Sequence, residues 1–174
     1  KLEFTGLEGW FMGALLLCLP FVILTVFVKL FLSERLPAGG QVVWLKDSGA
    51  ADRVELAGSA RRWKETVGDL DLVAASDEPA ALADHLAAHP SVAAVMARGE
   101  AGARVRLAGG LQVDLRVAPA SGYSALLHHL TGSKAHHVRL RGLARDRGYT
   151  LSEWGLVRLD DGRPVPLGEE ADVY

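Results

Sequence analysis

Two aspartates stand one residue apart in the apolar stretch "DLDLVAA", residues 69–75. On a β-strand, residues i and i+2 point to the same face, so Asp69 and Asp71 would present their carboxylates together while Leu70 and Leu72 face the core. Two negative charges this close repel each other unless a cation or hydrogen bonds offset the repulsion. The pair therefore indicates a cation-binding site, and two ordinary exposed strand positions are the alternative.

A third aspartate, Asp114, lies in a similar setting in "GLQVDLRV". If this later strand pairs beside residues 69–75, three carboxylates converge on one face of a sheet. Hard oxygen ligands in this number suit Mg²⁺, which keeps several waters and completes its coordination with substrate phosphates. The three aspartates therefore predict a magnesium site for a phosphate-bearing substrate.

The residues just before the aspartate pair could hold that phosphate. Gly58 and Ser59 come where a strand is followed by a short helix, a geometry in which free backbone N–H groups and the helix dipole favour an anion. Arg61 and Arg62 follow at once, and a planar guanidinium is suited to bidentate phosphate contacts. Gly68, directly before the pair, lets the backbone approach a ligand closely. Together with the carboxylates, these residues predict a nucleotidyl-transfer site.

The strands and helices that must position these residues predict a fold of the α+β class. Gly109-Gly110 links two strands as a hairpin, and a second, small hairpin is expected in "YTLSEWGLVRL". Consecutive hairpins leave too few crossovers for a doubly wound fold, so we expect a mixed and largely continuous sheet with helices. Strands are predicted at 53–57, 69–75, 91–99, 103–108 and 111–119, and helices from Ser59, over 79–89, over 121–131 and over 133–147.

The first fifty residues differ in kind from the rest. No residue from Trp10 to Val28 is charged, and the apolar segment 10–32 is long enough for a helix that crosses a bilayer. A buried hydrophobic helix, a signal-like segment and a stretch joined by gene fusion are the alternatives. The turn-rich "LPAGGQ" at 36–41 then marks a break before the rest of the chain. Basic residues after the apolar run favour a cytoplasmic C-terminal part.

Composition narrows the class of protein further. The chain has 174 residues, of which 49% are hydrophobic and 23% charged, so it is long enough for one sizeable core. Its formal net charge of −2 gives no global signal for a polyanionic partner, so DNA binding must rest on a local cluster of basic residues. The segment 134–147 is such a cluster. The single cysteine, Cys18, excludes an intrachain disulfide framework and a CxxC-type zinc site.

Three motifs, taken in order, resemble the palm and thumb of family X DNA polymerases, the bacterial branch in particular. "GSARRWKETVGDLD" is similar to the glycine-serine and D-x-D signature of polymerase-beta-like nucleotidyltransferases. "LQVDLRVAP" resembles the strand with the third catalytic carboxylate, and "LTGSKAHHVRLRGLARDRGYTLSEWGL" resembles the thumb. The resemblance covers roughly residues 52–174 and implies a polymerase-beta-like nucleotidyltransferase palm at 51–119 and a partial thumb at 120–174, preceded by the apolar segment and linker at 1–50.

The resemblance also implies an activity, namely transfer of a nucleotide from a dNTP to a primer 3′ end in gapped DNA during repair. Two Mg²⁺ or Mn²⁺ ions would lie between Asp69, Asp71 and Asp114, and Asp114 would receive the hydroxyl proton. Arg139 and Arg141 of the basic segment would contact DNA phosphates. The residues that the resemblance places around the nucleotide are Gly58, Ser59, Arg62, Gly68, Thr131, Gly132, Ser133, Lys134 and His137.

Two other functions stay open at this point. One is a nucleotidyltransferase for a non-DNA acceptor such as an antibiotic or a protein, against which the T-G-S-K motif and the basic segment argue. The other is a non-catalytic, membrane-tethered module that binds nucleotide or DNA, suggested by the apolar segment 10–32. Complete bacterial members carry further domains that do not fit in 174 residues, so we expect a truncated polymerase with impaired activity. The catalytic part is expected in the cytoplasm, and no protein partner is inferred.

Overall fold

Two β-sheets and five α-helices organise residues 37–174, the part of the chain that the computed structural model describes. Residues Gln41–Tyr174 form a compact unit. The helices are α1 (Pro37–Asp47), α2 (Gly58–Arg61), α3 (Pro79–Ala87), α4 (Ala120–Thr131) and α5 (Lys134–Asp146), followed near the end by a 3-10 turn at Glu170–Val173. The strands are β1 (Arg53–Leu56), β2 (Asp69–Ala75), β3 (Val92–Gly99), β4 (Gly102–Leu107), β5 (Gln112–Ala118), β6 (Tyr149–Ser152), β7 (Gly155–Arg158) and β8 (Pro164–Val165).

The larger sheet has five strands in the order β1-β2-β5-β4-β3. Only β2 and β5 run parallel within it, because the chain crosses over through α3 and the β3–β4 hairpin between them. A parallel pair requires such a crossover, whereas short turns join the antiparallel pairs β3–β4 and β4–β5. The two strands that carry the aspartates are therefore adjacent at the centre of the sheet.

Part of the core lies on the face of this sheet opposite the aspartates, and part lies further along the aspartates' own face, where Val73 and Ala75 are buried. Leu70 and Leu72 alternate with the aspartates along β2 and are buried, which confirms the predicted orientation. Alternation continues on β5, where Val113 and Leu115 are buried beside Asp114. Burial of each of these aliphatic side chains stabilises the fold by roughly 1.5–3 kcal/mol, so the two strands are held firmly in register.

Helix α4 packs on both of its sides. Tyr123, Leu126 and Leu127 join β1–β2 residues such as Val73 in one buried cluster. Ala125 lies in a second cluster, with Leu151, Leu167 and Val173 of the C-terminal part. This helix therefore connects the five-stranded sheet to the three-stranded sheet β6-β7-β8.

Two features differ from the sequence-based expectation. The sheet is not continuous, because β6, β7 and β8 form a separate sheet against α4 and α5. Helix α1 occupies part of the segment expected to be a linker, where it buries Gln41 and Leu45. Trp44 of this helix stacks on the His85 ring of α3 at a centroid distance of 4.8 Å. Local glycines and a proline obscured this helix, which long-range packing stabilises.

No helix in residues 37–174 combines the length and the hydrophobicity needed to cross a bilayer. The segment 10–32, for which a membrane-spanning helix was one prediction, lies outside the residues that the structure describes.

Candidate active site

The carboxylate face consists of Asp69 and Asp71 at the start of β2 and Asp114 on β5. Asp71 is the register partner of Asp114, and Asp69 that of Gln112. Because side chains of register partners on adjacent strands point to the same side, the three carboxylates share one face of the sheet. All three are half-buried. The strand pairing on which the sequence made the convergence of these carboxylates conditional is therefore present.

Electrostatic repulsion on the carboxylate face acts most clearly on Asp71. Burial raises the pKa of its carboxyl group, and the charges of Asp69 and Asp114 raise that pKa further. The guanidinium groups of Arg62 and Arg104 lower it, but not enough to cancel the increase. Asp71 therefore lies in a local excess of negative charge, which favours the binding of a cation.

Asp114 is engaged by two neighbours. Arg104 Nε donates a hydrogen bond to Oδ1 at 2.6 Å, and Gln112 Nε2 donates one to Oδ2 at 3.1 Å. Among residues 37–174, no group of three or more His, Cys, Asp or Glu side chains is arranged to hold a metal ion. The donor chemistry fits a hard divalent cation, but the two-ion site remains a prediction.

Gly58 brings the backbone of α2 directly against the carboxylate face. Its φ is +58°, a conformation that non-glycine residues rarely adopt. A Cβ atom at this position would lie 1.9 Å from Asp71 Oδ2, so any side chain here would force the Asp71 carboxylate to move. Ser59 follows in α2 and is half-buried. The glycine therefore sets the distance between the carboxylates and the segment predicted to hold phosphate.

A cavity of about 540 Å³ opens beside Asp69 and Asp71. Most of the residues predicted to surround a nucleotide line this cavity, and His129, Leu130 and Val138 line it as well. The predicted site residues that do not line it are Gly68, Thr131, Asp114 and Arg139. A larger and mostly apolar cleft of about 690 Å³ contains none of the predicted site residues. The predicted residues that line the smaller cavity are Gly58, Ser59, Arg62, Asp69, Asp71, Gly132, Ser133, Lys134, His137 and Arg141.

The two adjacent arginines of the GS motif make different contacts. Arg61 donates to Thr131 Oγ1 at 2.8 Å and to both carboxylate oxygens of Glu170 at 2.6 Å. Arg62 lines the cavity, donates to the Thr131 carbonyl oxygen and has a buried Nε without a hydrogen-bond partner. Arg61 thus holds the C-terminal turn through Glu170, whereas Arg62 lines the cavity.

Four histidines at the junction of α4 and α5 form the imidazole cluster, His128, His129, His136 and His137. The rings of His129 and His137 stack at a centroid distance of 5.2 Å, and both line the cavity. Burial is the main cause that lowers the pKa of both rings. His137 Nε2 is buried and has no hydrogen-bond partner. The cavity therefore has one wall of imidazoles whose neutral form is favoured.

Helix α5 begins beside this wall. Its N-cap residue, Ser133, accepts a hydrogen bond from the backbone N–H of His136, which satisfies one of the free donors of the first turn. Lys134 and Arg141 line the cavity, and Arg141 Nη2 lies 3.4 Å from His129 Nδ1. Arg139 is exposed outside the cavity. Of the two arginines predicted to contact DNA, one therefore lies at the cavity and the other on the open surface.

Three residues of the site were not identified from the sequence, namely Arg104, Gln112 and Glu170. Counting back from Gly109-Gly110 gives the register in which Arg104 pairs with Asp114 and Arg106 with Gln112, so the hairpin did contain a signal for the first two. Glu170 is 109 residues from its partner Arg61, and no local pattern indicates that contact.

Comparison with known proteins agrees with this arrangement. Residues 126–174 match the family model for the DNA polymerase beta thumb. The chain is also 36% identical over 120 residues to the DNA polymerase/3′-5′ exonuclease PolX of Bacillus subtilis (strain 168), an alignment that covers 68% of this chain. The resemblance to family X DNA polymerases is confirmed.

The family X match covers only part of the relative. This chain aligns with 21% of the Bacillus protein, so it spans about one fifth of that protein's length. The matched thumb residues lie within the segment that the sequence predicted as a thumb, and they include α5 and the three-stranded sheet. The α+β fold with its mixed sheet is consistent with the polymerase-beta-like class.

Proposed function

We propose that this chain performs the nucleotidyl transfer of a family X DNA polymerase, from a dNTP to a primer 3′-hydroxyl in gapped DNA. The primer oxygen forms a bond to the α-phosphorus, the bond from that phosphorus to the leaving pyrophosphate breaks, and the hydroxyl loses its proton. The observation that carries the proposal is the side-by-side register of Asp71 and Asp114, next to a cavity lined by Ser59, Arg62 and Lys134.

The carboxylate face is the proposed metal site, with two Mg²⁺ or Mn²⁺ ions held by Asp69, Asp71 and Asp114. Such ions, when bound, lower the pKa of the primer hydroxyl and offset negative charge on the pyrophosphate. Oxygen donors and the excess negative charge around Asp71 support this assignment. Asp114 is the proposed acceptor of the hydroxyl proton, and Arg104 and Gln112, which each donate to one of its oxygens, would orient its carboxylate.

The cavity is the proposed site of the incoming nucleotide. Ser59, Arg62 and the neighbouring Gly68 would hold the β- and γ-phosphates, and the Lys134 ammonium would add a positive charge near them. The segment Thr131, Gly132 and Ser133 would border the sugar and base. His137, whose side chain lines this wall beside His129, would contact the nucleotide.

DNA is the proposed macromolecular substrate. Helix α5 presents Arg139 and Arg141 as exposed cations, and neutralising DNA phosphates releases counterions, so binding should weaken strongly with salt. In this proposal residues 51–119 serve as the palm and residues 120–174 as a partial thumb. Position of the primer terminus over the carboxylate face then depends on the thumb contacts.

Primer extension on gapped DNA tests the proposal. The wild-type chain should extend the primer in the presence of Mg²⁺ or Mn²⁺, and Asp71→Ala should lower the rate by about 10³-fold, because one carboxylate serves both ions. Asp77→Ala is the matched control, since Asp77 is an exposed carboxylate beyond the other end of β2. Its rate should equal that of the wild type.

Three outcomes would contradict the proposal. Extension that persists in Asp71→Ala would remove the carboxylate face from the chemistry. Nucleotide transfer to a non-DNA acceptor in place of DNA would point to a different nucleotidyltransferase. Saturable dNTP binding without extension under all metal conditions would indicate a binding module instead of an enzyme.

A further inference from the structure

The ion pair between Arg104 and Asp114 places a positively charged guanidinium group at the proposed metal site. Arg104 lies on β4 directly opposite Asp114 of β5, and its Nε is 2.6 Å from Asp114 Oδ1. The second oxygen, Oδ2, accepts a hydrogen bond from Gln112 Nε2 at 3.1 Å. Each oxygen of Asp114 therefore already accepts one hydrogen bond, and the positive guanidinium lies at the carboxylate that a metal ion would approach, where two cations repel each other.

The two partners differ in their freedom to move. The Asp114 side chain is 17% exposed and is carried by a central strand, whereas the Arg104 side chain is 51% exposed. A long side chain that is half in water can leave its partner by rotating into solvent, since exposed ion pairs are only weakly stabilising. Release of Asp114 therefore requires movement of Arg104 and no change in the sheet.

Arg106 is an arginine on the same strand that does not contact Asp114. It lies two residues further along β4, on the same face, and is the register partner of Gln112. Its Nη2 lies 3.6 Å from Met96 Sδ, so it bonds no carboxylate of the face. The two arginines thus differ in one relevant respect, which is direct contact with Asp114.

We propose that the guanidinium of Arg104 takes the place of a divalent cation at Asp114, so that metal binding and the Arg104 contact are mutually exclusive. Arg104 is on this view a positioning residue: it holds Asp114 in the metal-free protein and lowers the affinity of the carboxylate face for metal. The inference rests on the proposed function, because it takes the carboxylate face as the metal site.

Mn²⁺ binding to the full chain without nucleotide, followed by the electron paramagnetic resonance signal of the free ion, tests the inference. Arg104→Gln should bind Mn²⁺ about three- to fivefold more tightly than the wild type, as expected for loss of one exposed ion pair that competes with the metal. Arg106→Gln removes the same charge from the same strand and should match the wild type. Arg104→Lys, which keeps the charge without the Nε donor, should lie between Arg104→Gln and the wild type.

A second measurement does not depend on any substitution that alters the fold. In the wild-type chain, adding diamagnetic Mg²⁺ should shift the Arg104 Nε–Hε resonance in a nitrogen–proton correlation spectrum, because the guanidinium leaves Asp114. The Arg106 resonance should stay in place. Arg104→Gln serves here only to assign the Arg104 resonance.

The possible results separate the inference from the proposed function. If Mn²⁺ binds and Asp71→Asn abolishes that binding, but Arg104→Gln binds no more tightly than Arg106→Gln, the inference is overturned and the proposed function stands. An Arg104 resonance that Mg²⁺ leaves in place has the same meaning. If neither the wild type nor Arg104→Gln binds Mn²⁺ in a manner that depends on Asp71, the proposed function fails and the inference fails with it.

Discussion

The carboxylate face and the imidazole cluster are two groups of close titratable side chains beside the same cavity, and burial acts on them in opposite directions. Burial raises the pKa of Asp71 and lowers the pKa of His128 to about 4. In each case the neutral form is favoured, because a charge loses hydration when its surroundings exclude water. At neutral pH, however, only the histidines can satisfy that preference.

The difference shows which of the two groups lowers the stability of the fold. The lowered pKa values of His128, His129 and His137 favour the neutral ring at pH 7, and His129 and His137 stack on one another. The carboxylate face must keep its negative charges close together and relies on Arg62 and Arg104 for partial compensation. Residues that destabilise a fold by mutual repulsion are typical of sites that bind an opposite charge. The carboxylate face is thus the better candidate for a binding role.

The largest expected effect comes from changing the spacing of the carboxylate face. Gly58→Ala would place a methyl group 1.9 Å from Asp71 Oδ2, at a left-handed φ of +58°. We expect primer extension to fall by about 100-fold or more and the free energy of unfolding to fall by about 1–2 kcal/mol. Extension rates and chemical denaturation measure the two effects.

Gly142→Ala in α5 is the control for this substitution, because nothing lies within 4 Å of the added Cβ. It should leave extension unchanged and raise the free energy of unfolding by about 0.5–1 kcal/mol through helix propensity. Equal activity of Gly58→Ala and wild type would show that the close approach at Asp71 is not required.

A smaller effect, on the free energy of unfolding, is expected when low pH protonates His128 of the imidazole cluster. His128 is buried, with a pKa lowered to about 4 first by burial and then by His137 and His136, so the unfolded chain takes up its proton at higher pH than the folded chain. Its contribution to stability is complete above the unfolded pKa of about 6.5 and is lost as the pH falls toward 4. Between pH 7 and pH 4.5 this should lower the free energy of unfolding by roughly 2 kcal/mol.

His128→Phe keeps an aromatic ring but cannot be protonated, so its stability should change less over this pH range. His136→Phe is the control: it removes an imidazole that touches the same Tyr174 hydroxyl but is half-buried. Denaturation at both pH values measures the slopes. Identical acid sensitivity of wild type and His128→Phe would refute the assignment to His128.

The smallest expected effect is a change in melting temperature, which measures directly how much the carboxylate face destabilises the fold. The pKa of Asp71 is raised, so its ionised form opposes folding at every pH above its unfolded pKa of about 3.8. Asp71→Asn removes the charge at equal size and should raise the melting temperature by a few degrees at pH 7 in EDTA. The gain should vanish near pH 3, where the wild-type carboxyl is protonated. A lower melting temperature at pH 7 would mean that the contacts with Arg62 and Arg104 outweigh the repulsion.

Local sequence patterns correctly predicted the strands and the hairpin around the site. They did not predict the contacts between distant segments that complete it. Alternation along "DLDLVAA" correctly placed Leu70 and Leu72 in the core, and Gly109-Gly110 correctly marked the β4–β5 hairpin. Helix α1 and the division into two sheets were missed, since each depends on packing between distant segments. The ion pair of Arg61 with Glu170 was missed for the same reason.

By itself, the sequence determined which residues could do chemistry and which of them share a strand face, because a two-residue period acts within a few positions of the chain. Only the tertiary structure decided that β2 and β5 run parallel with Asp71 beside Asp114, and that Arg62 and His137 border one cavity. These contacts join segments separated by tens of residues. Their register follows from burial of the whole core and not from any local preference.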